Sequence, residues 1–220
     1  MRKIIVATFL SMDGVMQAPG GPQEDTRNNF TWGGWMAPFS DHITDEAVGA
    51  LFTTPFELLL GRRTYEIFAA HWPYQNDHIG EIFNRIKKFV VATTPVDTSW
   101  HNSTLISSDV VNQLKKLKEE DGPDLLVHGS ATLVQTLLAN NLVDELHTLT
   151  FPITLGRGIK LFQDGTQPAR WRLIASAVST TGALIGTYIP DGNVPTGSFV
   201  PEHPSEAEIA RRKRWLAEEA

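Results

Sequence analysis

The sequence predicts an α/β fold in which a mixed, mainly parallel central sheet carries helices on both faces and ends in antiparallel strands. Three stretches support that reading. Residues 57–68, Glu-Leu-Leu-Leu-Gly-Arg-Arg-Thr-Tyr-Glu-Ile-Phe, begin with an apolar run too short for a helix, turn at Gly61, and continue with helical spacing that sets Tyr65, Phe68 and Ala69 inward. Residues 125–138 repeat the arrangement with a strand, Gly129, and a helix that has Ser130 as its N-cap and Leu133, Val134, Leu137 and Leu138 as its buried face. The last third differs. Residues 144–153, 173–178 and 184–189 read as strands with no helix between them, which extends the sheet with antiparallel strands.

Before the first junction, residues 3–10 are rich in β-branched side chains and read as a central strand, and Ser11-Met12-Asp13-Gly14 turns the chain. Residues 17–39 form a long loop rich in glycine and proline. Such loops are uncommon unless they bind something, so Trp32, Trp35, Met36 and Phe39 either cover a ligand or pin the loop to the core. A short helix over 44–52 has Asp45 and Glu46 in its first turn.

After the first junction, 71–79 reads as a loop, 82–86 as a short helical piece, and 88–93 as a buried strand ending in Thr93, Thr94 and Pro95. Leu105 and Ile106 form a brief strand, and 108–120 an amphipathic helix with Val110, Val111, Leu114 and Leu117 on one side. Residues 155–158, Leu-Gly-Arg-Gly, form a turn that either approaches a ligand or merely connects. Residues 191–204 read as a linker, and Ser205 with Glu208 as a capping box opening a terminal helix that ends near Glu219. The expected division is one domain over 1–190, then a linker and amphipathic helix over 191–220.

At 220 residues the chain is long enough for one domain with a substantial core, and 41% hydrophobic with 20% charged residues is the balance of a soluble globular protein. A net charge of −6 argues against a general nucleic-acid surface. The absence of cysteine excludes disulfides, thiolate metal sites and cysteine nucleophiles, and suits a reducing cytoplasm. The seven histidines include no close pair that would set two ligands on one helix face, so no metal site is expected. The start of the chain is basic and then apolar, but Asp13 interrupts it and no small-residue cleavage pattern follows. It reads as a strand rather than a signal peptide, and nothing later is long enough to span a bilayer.

The two junctions carry the chemistry. A helix start leaves its first backbone N–H groups unpaired at the positive end of the helix dipole, and Arg62 and Arg63 add full charges beside one of them. One such start suits a phosphate; two in one small domain suit a dinucleotide. Junctions of this kind that bind nothing are also common.

On these residues the chain resembles the dihydrofolate reductase superfamily, most of all the branch of the reductase domain of the bifunctional riboflavin biosynthesis deaminase-reductase. The resemblance rests on residues 59–66, on His128-Gly129-Ser130-Ala131-Thr132-Leu133, on Leu142-Val143-Asp144-Glu145 and on residues 151–158, and covers residues 3 to about 188. It implies a dihydrofolate-reductase-like three-layer sandwich, NADPH as cofactor, and a homodimer. Gly61, Arg62, Arg63 and Thr64 would then bind the pyrophosphate through backbone N–H groups and the 2′-phosphate through an arginine. Thr93 and Thr94 would stand near the 2′-phosphate, His128, Gly129, Ser130, Ala131 and Thr132 would complete the pyrophosphate site, and Phe9 and Met16 would flank the nicotinamide. The family often has two adjacent glycines where this chain has His128 and Gly129.

In dihydrofolate reductase a carboxylate on the helix before the Gly-Arg strand serves the pterin ring. Counting back from Gly61 places Asp45 there, either as that catalytic group or as a helix-start residue stabilised by the dipole. Trp35 and Arg157 are candidate substrate contacts, the latter because the riboflavin-pathway substrate carries a ribosyl phosphate. The expected function is an NADPH-dependent reductase of the cytoplasm acting on a small, pteridine- or pyrimidine-like substrate, without nucleic-acid or membrane partners. The alternative is a module of the same fold that binds a nucleotide or flavin without turnover.

Overall fold

The computed structural model describes residues 1–199 and 203–218. Its strands are β1 (Ile4–Ser11), β2 (Phe56–Gly61), β3 (Lys88–Val91), β4 (Ser103–Ile106), β5 (Asp124–His128), β6 (Glu145–Phe151), β7 (Trp171–Val178) and β8 (Leu184–Pro190). They form one sheet in the order β4-β3-β2-β5-β1-β6-β8-β7. Pairing is parallel from β4 through to β6, and antiparallel where β8 meets β6 and β7. β1 is central because it is apolar on both sides, with Ile4 opposite Leu125 of β5 and Val6 opposite Leu146 of β6.

The helices are α1 (His42–Ala50), α2 (Arg62–His71), α3 (His78–Arg85), α4 (Val110–Glu119), α5 (Ala131–Ala139) and α6 (Glu206–Glu218). Alternation along the strands divides the core between two faces. Ile4, Val6, Leu125 and Val127 pack with Leu114 of α4 and Leu133 and Leu137 of α5. Ala7, Leu58, Leu60 and Leu126 face the other way, against Tyr65 of α2 and Phe83 of α3. Phe9, Leu149 and Phe151 pack with Val48 of α1 and with the long loop. The result is the expected three-layer sandwich, each fully buried Leu or Phe contributing roughly 1.5–3 kcal/mol.

Several local readings need correction. The first helix starts at His42, not at 44, because Asp41 caps it: the Asp41 carboxylate accepts from Thr44 N–H at 2.9 Å, and the Thr44 hydroxyl accepts from Asp41 N–H at 2.8 Å. Part of the loop read over 71–79 is helical, since α3 begins at His78 with Asp77 accepting from Gly80 N–H at 2.8 Å. Gly80 belongs in that helix because a Cβ there would lie 2.7 Å from the Gln75 carbonyl oxygen. Ser130 occupies the N-cap position of α5 but is left-handed, at φ +80°, and its hydroxyl makes no capping bond. At α6 only half of the capping box forms. Ser205 Oγ accepts from Glu208 N–H at 3.3 Å, while the Glu208 carboxylate turns to Arg211 and Arg212. The helix end read at Glu219 lies outside the described residues.

Candidate active site

β2 and β5 are neighbours in the sheet, yet α2 leaves β2 toward one face and α5 leaves β5 toward the other. Parallel strands whose connections diverge in this way leave a crevice at their carboxyl ends. A cavity of about 1010 Å³ opens there. The first junction (61–64) and the second (128–132) both line it, with Thr93 and Thr94 beyond β3 and Phe9 and Met16 from the β1 side. Residues far apart in sequence are thus brought to one groove.

The groove's backbone suits a phosphate-bearing ligand. Gly129 has φ +87°, which favours glycine, and no atom lies within 4 Å of where its Cβ would stand, so the backbone there is open to close approach. Arg62 and Arg63 differ. Arg62 donates to Glu66 Oε1 at 2.8 Å, one turn along α2, whereas exposed Arg63 has no ion-pair partner among the described residues. Arg63 is the cation left for a ligand, and its field already reaches Asp25 across the groove.

The facing wall is the long loop. Gln17, buried, ties it down: its amide nitrogen donates to the Asp25 and Arg27 carbonyls at 3.1 and 3.2 Å, and its amide oxygen accepts from Ile159 N–H at 3.0 Å. Glu24 accepts from Gly20 N–H at 2.7 Å, and burial pushes its carboxyl above the usual range. Burial acts on Asp25 in the same sense, but the hydrogen bonds and charge of Arg27 outweigh it and hold that carboxyl low. The sequence carried no periodic signal for this wall.

Trp35 and Arg157, read as substrate contacts, line neither this groove nor the cavity beside it. The Trp35 indole donates to the Gln17 carbonyl at 2.8 Å and packs edge-on to Phe151 at 5.8 Å, so this tryptophan pins the loop to the core. Arg157 is exposed and donates to the Asn29 carbonyl at 3.0 Å. The turn that carries it is fixed by Asp13, whose carboxylate accepts from Leu155 and Gly156 N–H at 3.0 and 2.8 Å. That turn connects rather than approaching the groove.

A second cavity of about 540 Å³ meets the first at Phe9 and Met36, which line both. Its walls are mostly apolar, with Phe52 at the end of α1 and Leu149 and Phe151 on β6. Asp45 also lines it, accepting from Ser40 Oγ at 2.9 Å. His128 closes β5 with its ring set among Phe9, Phe52 and Phe68. Sequence reasoning placed His128 only as backbone, because nothing local shows which rings surround it.

Among the described residues no cluster of His, Asp and Glu could hold a metal ion, and no helix is long and apolar enough to cross a membrane. A family model, the RibD C-terminal domain, matches residues 2–185. The chain belongs to that family. It is 22% identical to the uncharacterized protein YyaP of Bacillus subtilis (strain 168), over 85% of this chain and 94% of that protein. Among solved structures, a pyrimidine reductase-like protein from Corynebacterium diphtheriae is similar over 87% of this chain and 93% of its own, at 13% identity and a TM-score of 0.56. Dihydrofolate reductase from Enterococcus faecalis, complexed with NADP(H) and RAB-propyl, is similar over 86% and 96%, at 14% identity and a TM-score of 0.55. Identities this low show a shared fold, and that fold places the crevice of this RibD C-terminal domain at the carboxyl ends of β2 and β5.

Proposed function

We propose that the chain is an NADPH-dependent reductase whose larger cavity takes the dinucleotide and whose smaller cavity takes a small heterocycle, pteridine- or pyrimidine-like. The observation that supports this most directly is that two helix starts and the unpaired Arg63 face one groove, which meets an aromatic cavity at Phe9. Bound NADPH would supply a hydride from its nicotinamide ring.

The chain's own part is to bind, orient and exclude water. Free N–H groups of Arg62 to Thr64 and of Ala131 and Thr132 would hold the pyrophosphate. Arg63 with the hydroxyls of Thr93 and Thr94 would hold the 2′-phosphate, a dianion that favours NADPH over NADH. Phe9 and Met16 would wall the nicotinamide, and the aromatic cavity beyond would exclude bulk water from the reacting atoms. The Asp45 carboxylate would orient the substrate by accepting its N–H groups, and would relay to it a proton taken up from water. Arg157 and Trp35 have no part in this reading.

Residues 1–190 form the reductase domain of the proposal, with 191–220 as an appended linker and helix. A cytoplasmic homodimer completes it. The cysteine-free chain suits a reducing compartment, and β7 is an eight-residue sheet edge with Leu173, Ile174 and Val178 exposed, a surface that a second copy would cover.

The test is an NADPH titration followed by thermal shift, then NADPH oxidation with dihydropterins, pyrimidine ribosyl compounds or flavins offered as substrate. A rise in Tm with turnover of one of them is expected. A rise in Tm without turnover would favour a binding module, and no rise would reject the assignment.

A further inference from the structure

One face of α1 walls the smaller cavity. Asp45, Val48, Gly49 and Phe52 all line it, at the spacing that sets side chains on one side of a helix. Gly49 stands in the middle of that stripe, one turn after Asp45 and about one turn before Phe52. Glycine disfavours a helix relative to alanine, so its presence there asks for a reason. Gly80 in α3 has one in its packing, since a Cβ would lie 2.7 Å from the Gln75 carbonyl oxygen. Gly49 has none of that kind. No atom lies within 4 Å of where its Cβ would stand, and its φ is not in the left-handed region. The fold would accept a side chain at 49 in both space and torsion, and what the missing side chain leaves open is the cavity.

The neighbours of Gly49 say what fits that space. Asp45 accepts from Ser40 Oγ with one carboxylate oxygen and keeps the other for a ligand. The Thr44 and Thr53 hydroxyls donate to the Asp41 and Ala50 carbonyls at 2.8 and 2.9 Å, so neither offers its proton to the cavity. Phe9 and Phe151 line the same space, and aromatic walls favour a flat ligand. His78 of α3 adds an imidazole with no partner among the described residues, able to bond a ring nitrogen or oxygen. Gly49 lies four residues from Asp45, about 6 Å along the helix axis. A single six-membered ring that gives its N–H edge to Asp45 ends at about that distance. A second fused ring continues over the bare backbone at Gly49, where Val48 and Phe52 suit a ring better than a hydroxylated chain.

We propose that Gly49 is a specificity-determining residue, and that the space it leaves takes the second ring of a flat, fused two-ring heterocycle whose N–H edge is held by Asp45. A lone pyrimidine ring leaves that space to water and forgoes the apolar contact. This rests on the reading that the larger cavity holds NADPH and the smaller one the substrate, and it chooses the pteridine-like class of the two named there.

Pterin and isocytosine share the same N–H edge, and isocytosine lacks the second ring. Each is titrated calorimetrically into the wild type, Gly49→Ala and Gly49→Leu, all loaded with the oxidised dinucleotide. The wild type should bind pterin about tenfold more tightly than isocytosine. Gly49→Ala should weaken pterin about threefold and Gly49→Leu about thirtyfold, while isocytosine and NADPH affinities change by less than about twofold. Gly49→Ala should at the same time raise Tm by about 1–3 °C, because the helix gains a better former and nothing is displaced. A stabilised fold with a weakened ligand is a result that a purely structural glycine would not give. Undiminished pterin affinity in Gly49→Leu, equal losses for the two probes, isocytosine bound as tightly as pterin, a lowered Tm in Gly49→Ala, or no pterin binding would each overturn the proposal. Failure of NADPH itself to bind would instead remove the reading beneath it, so the two failures are distinguishable.

Discussion

The Ser130 hydroxyl fills the space that a side chain at Gly61 would need, with Ser130 Cβ 3.0 Å and Leu133 Cβ 3.6 Å from where that added carbon would stand. Gly61 is therefore required by its neighbour and not by its own torsions, since φ −74° is open to any residue. The contact holds the starts of α2 and α5 together, and so makes one groove of two junctions.

Gly61→Ala should cost about 1–3 kcal/mol in urea denaturation, because the added methyl must displace Ser130. NADPH affinity should fall with it as the two helix starts separate. Ser130→Gly removes the obstructing side chain and also suits the left-handed backbone there. The double variant should accordingly recover most of what Gly61→Ala loses, and strictly additive effects would show that the contact is not the cause.

The two arginines should behave differently. Arg63→Ala removes the unpaired cation and should weaken NADPH binding about tenfold, or about 1.4 kcal/mol, with NADH affinity little changed. Arg62→Ala removes a guanidinium already engaged by Glu66, an exposed pair worth about 0.3–0.5 kcal/mol, and should change NADPH affinity far less. Isothermal titration with both nucleotides checks this, and equal losses would reject Arg63 as the phosphate reader.

Lys88 gives a pH signature. It is fully buried at the start of β3, donates to the Ile86 carbonyl at 2.9 Å, lies over the Trp100 ring at 4.2 Å, and burial pushes its pKa down to about 8. An unfolded lysine titrates near 10.4. Between those values the unfolded chain binds more protons than the folded one, so stability should rise as pH rises through that window. The gain is about 3 kcal/mol at most, since the carbonyls and the indole face favour the charged form. Urea midpoints from about pH 7 to about pH 10 measure it, and Lys88→Met should flatten the rise.

How much of this was legible in the sequence follows from which forces are local. Apolar runs ending in glycine located β2 and β5 and their helices, because strand burial and helix periodicity are written in neighbouring residues. Their convergence on one groove followed from the parallel order of the strands. The loop wall did not, since Gln17 acts through Asp25, Arg27 and Ile159, a set that only the folded chain assembles. Trp35 looked equally suited to a ligand or the core, and the Gln17 carbonyl that takes its N–H decided for the core. Ser130 read as a cap by residue type, but its left-handed backbone turns the hydroxyl toward Gly61.

Glu57 is another residue whose role only the fold discloses, and it supports the last prediction. It lies inside an apolar run, and its carboxylate pairs with Arg2, the side chains being 10% and 3% exposed; Lys87 Nζ stands 3.8 Å from its other oxygen. Removing one partner leaves an uncompensated buried charge, so Glu57→Leu or Arg2→Met alone should cost about 3–5 kcal/mol. Removing both leaves no unpaired charge, and the double variant should be more stable than either single one. Arg2 precedes β1 and Glu57 is the second residue of β2, at the end of the sheet opposite Gly61. NADPH affinity should therefore be unchanged in every variant that folds, and a loss of binding alongside the loss of stability would show that the two ends of the sheet are coupled.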